Sequence, residues 1–561
     1  MHVRRSVLTR SIFALTALAA ACSLTACGGS GSVLPSPAEQ LTTSLQSNVK
    51  NVVVIYAENR SFDNLFGNFP GADGLFDSTG KLKTFASQKD RNGAVLSTLP
   101  PTWGGVTAAG QTKMVTQAQS MNLANAPFNI ATAFQTSAGV TLDGTSVTRD
   151  MYHRFFENQM QINGGANDGF AAWADSGGLV MGYFDYSASG LYKLAKDNVL
   201  ADNFFQAAYG GSFLNHQYLI CACAPEYANA DTAAAKPTIA AVNQDAKGNF
   251  TYNLTTAATS PASAMDGKPT FVLSGNVTPK NYAGDNKFYA INTMQASYQP
   301  SGNTPVASGD MKLTDPSKAT TLPAQTATTI GDLLDKKNVN WKWYAGAWTA
   351  ATADGQQDPT VKRTVIYAGD TNGVASTSAV DFQPHHQPFN YFAKLDPNTN
   401  AAYRAAHLQD YNDLVKDAAA GTLPAVSFYK PEGVYNQHPG YANLNDGDQK
   451  ITDLVAKLQA SPQYKNMVIV ITYDENGGAW DHATPPKGDW VGPGTRIPAI
   501  IVSPLAKKGT VDHTQFDTAS VLRLITRTFG LDTLSGLKLR DDSLVKNGGK
   551  PMGDLTSALN L

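Results

Sequence analysis

Two pairs of adjacent oxygen-bearing residues, Glu58-Asn59 and Asp474-Glu475, each follow an apolar run that reads as a strand. In a parallel α/β sheet ligands bind where the carboxyl ends of the strands emerge. Carboxylates crowded at such a place repel and push each other's pKa values apart unless a cation neutralises them. Carboxylate and amide oxygens suit hard divalent cations. A turn that merely ends a strand is the other reading of Asp474-Glu475-Asn476, because Asn476-Gly477 is itself a turn signal.

A second group is Tyr209-Gly210-Gly211-Ser212-Phe213-Leu214-Asn215-His216. It follows the strand-like Asn203-Phe204-Phe205 and precedes an apolar helical stretch to Cys223, so Ser212 falls at a helix start. Free N–H groups there attract an anion, and the two glycines let a phosphate come close to the backbone. A serine oxygen so placed attacks phosphorus if a metal activates it; a simple N-cap serine is the alternative. Among the nine histidines, His153, His385-His386, His438 and His482 fall at predicted strand ends or loops. They could form an acid–base and anion-binding crown, against a structural role as the default for each. His216 adjoins Ser212 and is read as its support, while His2, His407 and His513 are read as surface or signal residues.

The elements that must position these groups are strands alternating with helices. Residues 51–56, 341–344, 425–429, 467–473 and 497–502 are apolar or β-branched runs of the kind buried on both faces. Between them, 329–337 and 448–460 carry helical patterns, the latter with Ile451, Leu454, Val455 and Leu458 on one face. The alternation predicts an α/β fold, a doubly wound, mostly parallel sheet. Residues 225–325 are rich in Ala, Thr, Asn, Ser and Gly with weak periodicity and read as an insertion or cap, and 78–150 as a second loop-rich excursion.

The N-terminus sets a compartment. Arginines in residues 1–10 precede the apolar stretch 11–21, too short to span a bilayer, as in an export signal. Arg4-Arg5 followed by Ser6-Val7-Leu8 weakly resembles a twin-arginine signal. Leu24-Thr25-Ala26-Cys27-Gly28 resembles a lipobox, so acylation of Cys27 and ordinary cleavage near 19–26 both stand. The expected organisation is a signal over 1–27, a polar tether over 28–48, one catalytic domain over 49–540 and a tail over 541–561. The expected location is outside a bacterial cytoplasm, whether periplasmic, lipid-anchored at an outer membrane or secreted. Composition, 42% hydrophobic and 16% charged, is that of a globular enzyme, and a net charge of −2 gives nucleic acid or an anionic membrane no hold. Cys221 and Cys223, one residue apart, are read as unpaired core residues, since bonding so close in sequence strains a helix.

With these residues in view, Glu58-Asn59-Arg60-Ser61-Phe62-Asp63 with Gly67 and Gly71-Ala72-Asp73-Gly74 resembles the N-terminal signature of bacterial phospholipase C and acid phosphatase A proteins, of the alkaline phosphatase-like superfamily. Asp474 to His482 with Pro485-Pro486 is similar to the family's second metal-binding signature, and Gly211 to His216 to its nucleophile turn. The resemblance covers about residues 48–535. It implies one divalent ion, whether Ca, Mg, Mn, Zn or Fe, held by Glu58, Asn59, Ser212, Asp474 and Glu475. It implies Ser212 as the nucleophile that becomes phosphorylated, and His153, His385, His386 and His438 around the phosphate; it leaves His482 without a role. Within the family, serine at position 212 and no room for C-terminal β domains after residue 561 favour an acid phosphatase acting on phosphate monoesters. A phospholipase C releasing phosphocholine is the alternative inside enzymes. A non-catalytic exported binding lipoprotein is the alternative outside them. The expected partner is a small phosphate ester, or a phospholipid, and a membrane only through a lipidated N-terminus.

Overall fold

The computed structural model describes residues 35–369 and 381–561. Eight strands form the central sheet: β1 Asn51–Ala57, β2 Val199–Ala201, β3 Trp341–Ala345, β4 Leu408–Asp410, β5 Val426–Lys430, β6 Met467–Tyr473, β7 Ala499–Val502 and β8 Thr510–Asp512. Their order across the sheet is β8-β2-β7-β6-β1-β5-β3-β4. β1 pairs in parallel with β5 on one side and β6 on the other, β3 extends from β5 and β4 from β3 in parallel, and β8 lies parallel to β2. β7 alone runs against its neighbours β6 and β2. The expected mostly parallel α/β fold is therefore what forms.

Every residue of β1 and β6 is buried, which is why both read as unbroken apolar runs rather than alternating ones. Two groups of helices supply the cover. Leu444–Gln459, started by Asn443 accepting from Asp446 N–H, packs on Gly190–Asp197 and Tyr411–Ala420, and its predicted face of Ile451, Leu454, Val455 and Leu458 is buried. Ser212–Cys221 packs on Ile330–Lys336 and on Ser520–Phe529. No helix among the described residues is long and apolar enough to cross a membrane.

Three sequence expectations are corrected. Within the tether expected over 28–48, Pro37 to Asn48 form a helix, while the signal, Cys27 and residues 28–34 lie outside the described residues. A capping box starts that helix: Ser36 Oγ accepts from Glu39 N–H at 3.3 Å, and the Glu39 carboxylate accepts from Ser36 N–H at 2.7 Å, with Pro37 first in the helix. Leu45 is wholly buried, and Arg527 donates to Ala38 O (3.0 Å) and Thr42 Oγ1 (2.9 Å). The residues after 540 are no loose tail: helix Ser535–Lys546 crosses that boundary, and Leu544, Leu555, Ala558 and Leu559 are buried. Cys221 and Cys223 are disulfide-bonded. The helix stops at Cys221, and Ala222 takes the left-handed conformation (φ 49°). The two Cα atoms lie 5.1 Å apart, and the turn at Ala222 removes the divergence of roughly 200° that side chains two apart have in a continued helix.

The loop-rich excursions pack onto the same body. Within 225–325 a hairpin joins Val242–Gln244 to Phe250–Leu254, and Val277, Ile291 and Met294 enter the main core. Leu45→Ala should lower unfolding free energy by about 2–5 kcal/mol, the cost of an unfilled core site. Urea denaturation of the mature chain measures it; an unchanged midpoint would return 37–48 to a tether.

Candidate active site

Parallel pairing brings the tips of β1, β5 and β6 to one edge, so Glu58, Lys430 and Asp474 meet. Ala57 is opposite Tyr473, and Ile55 is opposite Tyr429. Asn59 takes φ +62°, a left-handed conformation that Asn tolerates, and its N–H donates to Asp474 Oδ1 at 3.3 Å. The loop beyond β6 lies so close that a Cβ at Gly477 (φ +61°) would sit 2.6 Å from Asn59 O. Gly477 N–H donates to Glu475 Oε2.

Helix Ser212–Cys221 begins against this edge. Gly210 (φ +81°) admits no side chain, since a Cβ there would meet Phe155 N at 2.4 Å. Gly211 is the N-cap and Ser212 the first helical residue, so Ser212 is not the N-cap serine that was the alternative reading. Its Oγ lies 3.5 Å from Asn59 Oδ1 and 3.4 Å from Glu475 Oε1, facing a cavity of about 780 Å³. Glu58, Arg149, His153, Ser212, His385 and His438 are among the side chains that line it. Both excursions supply wall, through Thr107 and Arg149 from one and Asn292 from the other. Arg154 locks the second in place by donating to Ser274 Oγ (3.0 Å) and Gly275 O (2.7 Å).

All five residues of the expected ion site, and the four expected histidines, therefore come together. His386 Nε2–H donates to Glu58 Oε1 in a short contact; His385 Nε2 lies 4.0 Å from that oxygen and His438 Nε2 3.8 Å from Glu58 Oε2. His153 Nε2 is 3.7 Å from Glu475 Oε1. His216 Nδ1 approaches the Ser212 carbonyl oxygen at 2.7 Å, the supporting contact expected of it.

Three residues that sequence reasoning missed complete the site. Lys430, wholly buried, places Nζ 2.9 Å from Glu58 Oε1. Asn436 Nδ2 donates to Glu58 Oε2 at 3.1 Å, and Tyr441 OH donates to the same oxygen at 3.2 Å. A lysine closing an apolar strand was the signal available for Lys430; Asn436 and Tyr441 had none beyond standing near His438.

Electrostatics separates these groups. Burial would raise the Glu58 carboxyl, but the Lys430 ammonium and the His386 ring outweigh it and leave the carboxyl well below its ordinary range. Burial drives Asp474 up to about 6 and Glu475 well above the carboxylate range. His153, despite burial, is raised to about 9 by Glu475 and Asp150. Burial lowers His385 well below the ordinary imidazole value and His386 to about 4. Within the expected crown, His153 is thus shifted toward its charged form and the 385–386 pair toward the neutral one.

Asp474 Oδ2 is buried with no hydrogen-bond partner, beside the oxygens of Asn59, Ser212 and Glu475. An all-oxygen donor set with an unsatisfied carboxylate oxygen fits a hard divalent cation. Glu58, His216 and His386 form a further buried group whose ligand atoms are close enough to hold one.

His482 stands apart. Its Nδ1 meets Asp63 Oδ2 at 2.7 Å and its Nε2 meets Asp73 Oδ1 at 3.2 Å, while Arg496 bonds Asp63 (3.1 Å) and Asp481 (2.9 Å). This network clamps the loop after β6 to residues 61–74.

The chain belongs to the Phosphoesterase family, whose pattern matches residues 49–532. Among curated relatives it is similar to phospholipase C B of Mycobacterium tuberculosis, 26% identical over 220 residues, covering 35% of this chain and 40% of that protein. It is similar also to the non-hemolytic phospholipase C of Burkholderia pseudomallei, 28% identical over 260 residues, covering 42% and 36%. The matched segments thus span well under half the length of these relatives. Among solved structures, the PsFucS1 sulfatase from Pseudoalteromonas sp. aligns over 94% of this chain and 80% of its own at 12% identity and a TM-score of 0.28.

Burial would depress His482, but Asp63 and Asp73 raise it to about 10, so its pairing stabilises the protonated folded form. That contribution is complete below the unfolded value near 6.5 and is lost as pH rises through about 10. In urea titrations, the stability gap between wild type and His482→Asn should be constant at or below pH 6 and shrink between pH 7 and 10. A gap independent of pH would rule out the charged pairing.

Proposed function

We propose that the chain hydrolyses phosphoric esters through a phosphoserine formed on Ser212. The observation that carries the reading is the Ser212 hydroxyl. It stands at the first residue of its helix and lines the cavity, 3.5 Å from Asn59 Oδ1 and 3.4 Å from Glu475 Oε1. A divalent cation held by Glu58, Asn59, Ser212, Asp474 and Glu475 would supply Lewis acidity at the serine oxygen.

The chain's own groups do the rest. Backbone amides at the start of helix Ser212–Cys221 have no intrahelical acceptor and face the phosphoryl oxygens. Ser212 Oγ attacks phosphorus as its proton passes to Glu475 Oε1, 3.4 Å away; the P–O bond to the alcohol breaks as the Ser–O–P bond forms. His153, held protonated by its carboxylate neighbours, donates to the departing oxygen. Water then attacks the phosphoserine, releasing phosphate and restoring the hydroxyl. His438, whose Nδ1 meets Pro439 O, turns Nε2 toward Glu58 and the cavity.

The finer reading is an acid phosphatase. Arg149, Asp150, His153, Arg154 and Asp175 give the cavity a charged wall, which suits a compact polar ester better than two acyl chains. The second reading is a phospholipase C, favoured by the names of the relatives. Export is proposed from the N-terminal sequence alone.

Ser212→Ala should lower turnover by about 1,000-fold or more, as removal of a nucleophile does, with the fold intact by circular dichroism. Near-wild-type turnover would refute the assignment. Side-by-side assays on p-nitrophenyl phosphate and phosphatidylcholine choose between the finer readings: monoester turnover with inert phospholipid supports the phosphatase, and the reverse supports the phospholipase. Chelation should abolish activity and a single divalent ion restore it; full activity in protein shown metal-free by elemental analysis would remove the ion from the mechanism.

A further inference from the structure

We propose that Lys430 is the resident counter-cation of this site, holding the tips of β1 and β6 together before any divalent ion arrives. Its side chain is wholly buried. Nζ lies 2.9 Å from Glu58 Oε1, 3.8 Å from Asp474 Oδ2 and 3.4 Å from Ala57 O, and 5.3 Å over the Tyr56 ring. Among the described residues, no other Lys or Arg stands in ion-pair range of Glu58, Asp474 or Glu475; the remaining pairs use histidine.

The placement follows from topology. β5 is the parallel neighbour of β1 on the side away from β6, so its last residue reaches across the tip of β1 toward the tip of β6. A buried ammonium without an anion is costly, and so is a buried carboxylate without a cation. Lys430 therefore satisfies Glu58 outright and only leans on Asp474, whose Oδ2 keeps its capacity for an incoming ligand. Lys430 is a positioning residue: it orders two acids that share the expected ion site, and does so without the ion. This last point rests on the ion-binding reading of the site proposed above.

The test is a double-mutant cycle on the metal-free full-length mature protein with Lys430→Met and Glu58→Gln, read by thermal midpoint. Lys430→Met should lower the midpoint by roughly 5–10 °C in the wild-type background, since it strands a buried carboxylate. In the Glu58→Gln background the same change should cost nothing or raise the midpoint. If the single variant does not accumulate, recovery of folded protein in the double variant is the same result, and a double variant no better than the single overturns the proposal. An equal cost in both backgrounds overturns it too.

A second arm adds saturating Mn²⁺. The midpoint should rise further in Lys430→Met than in wild type, because the ion there also takes over the missing charge; equal rises refute the ordering role before ion arrival. If wild type binds no ion by elemental analysis, the proposed ion site fails, while the metal-free cycle still decides whether Lys430 is the counter-cation.

Discussion

Three acids, Glu58, Asp474 and Glu475, are buried together at one edge of a sheet, and the arrangement of the site follows from the need to neutralise them. Each such group out of water costs several kcal/mol unless paired. The protein answers with different partners for each. Glu58 takes an ammonium, an imidazole N–H, an amide and a phenol. Asp474 takes backbone N–H groups on one oxygen and leaves the other without a hydrogen bond, 3.8 Å from Lys430 Nζ. Glu475 shares its charge with His153 and Ser212.

Much of this was legible in the sequence because the strands are doubly buried. An unbroken Val-Val-Val-Ile or Val-Ile-Val-Ile run can end only where the sheet ends, so the polar pair after it must sit at the edge. The same logic located β3 and β5, and the periodic face of helix Leu444–Gln459. Lys430 was missed because the strand was ended at Tyr429, one residue short of where it closes. The helix Pro37–Asn48 was lost to composition: Gly, Ser, Pro and other polar residues over 28–48 suggested a tether, although Ser36-Pro37 with Glu39 is a complete local start signal. Cys221 and Cys223 were judged as if the helix continued through both. The separation of histidines into neutral and charged ones was beyond any sequence reading, because burial and neighbouring charge decide it.

The excursions show how a cavity is built from segments without regular structure. Residues 78–150 and 225–325 contribute wall residues, and short β pairings such as Phe128–Asn129 with Gly182–Tyr183 and Gln325 with Phe392, together with hydrogen bonds from charged side chains, tie them down. Arg154 anchors one to the segment that carries His153, and Arg149 bonds Asp175 beside the other. The residue that anchors the second excursion, Arg154, is thus the sequence neighbour of His153 in the cavity wall.

The Cys221–Cys223 bond has a meaning separate from stability. A bridge between residues two apart restricts the unfolded chain far less than one closing a long loop, so its thermodynamic weight is small and its effect stays at the exit of helix Ser212–Cys221. Such bonds form and persist where thiols are oxidised and are rare where glutathione keeps them reduced. The pair is therefore a built-in record of biography: its oxidation state in chain isolated from cells tells which side of the cytoplasmic membrane that chain matured on.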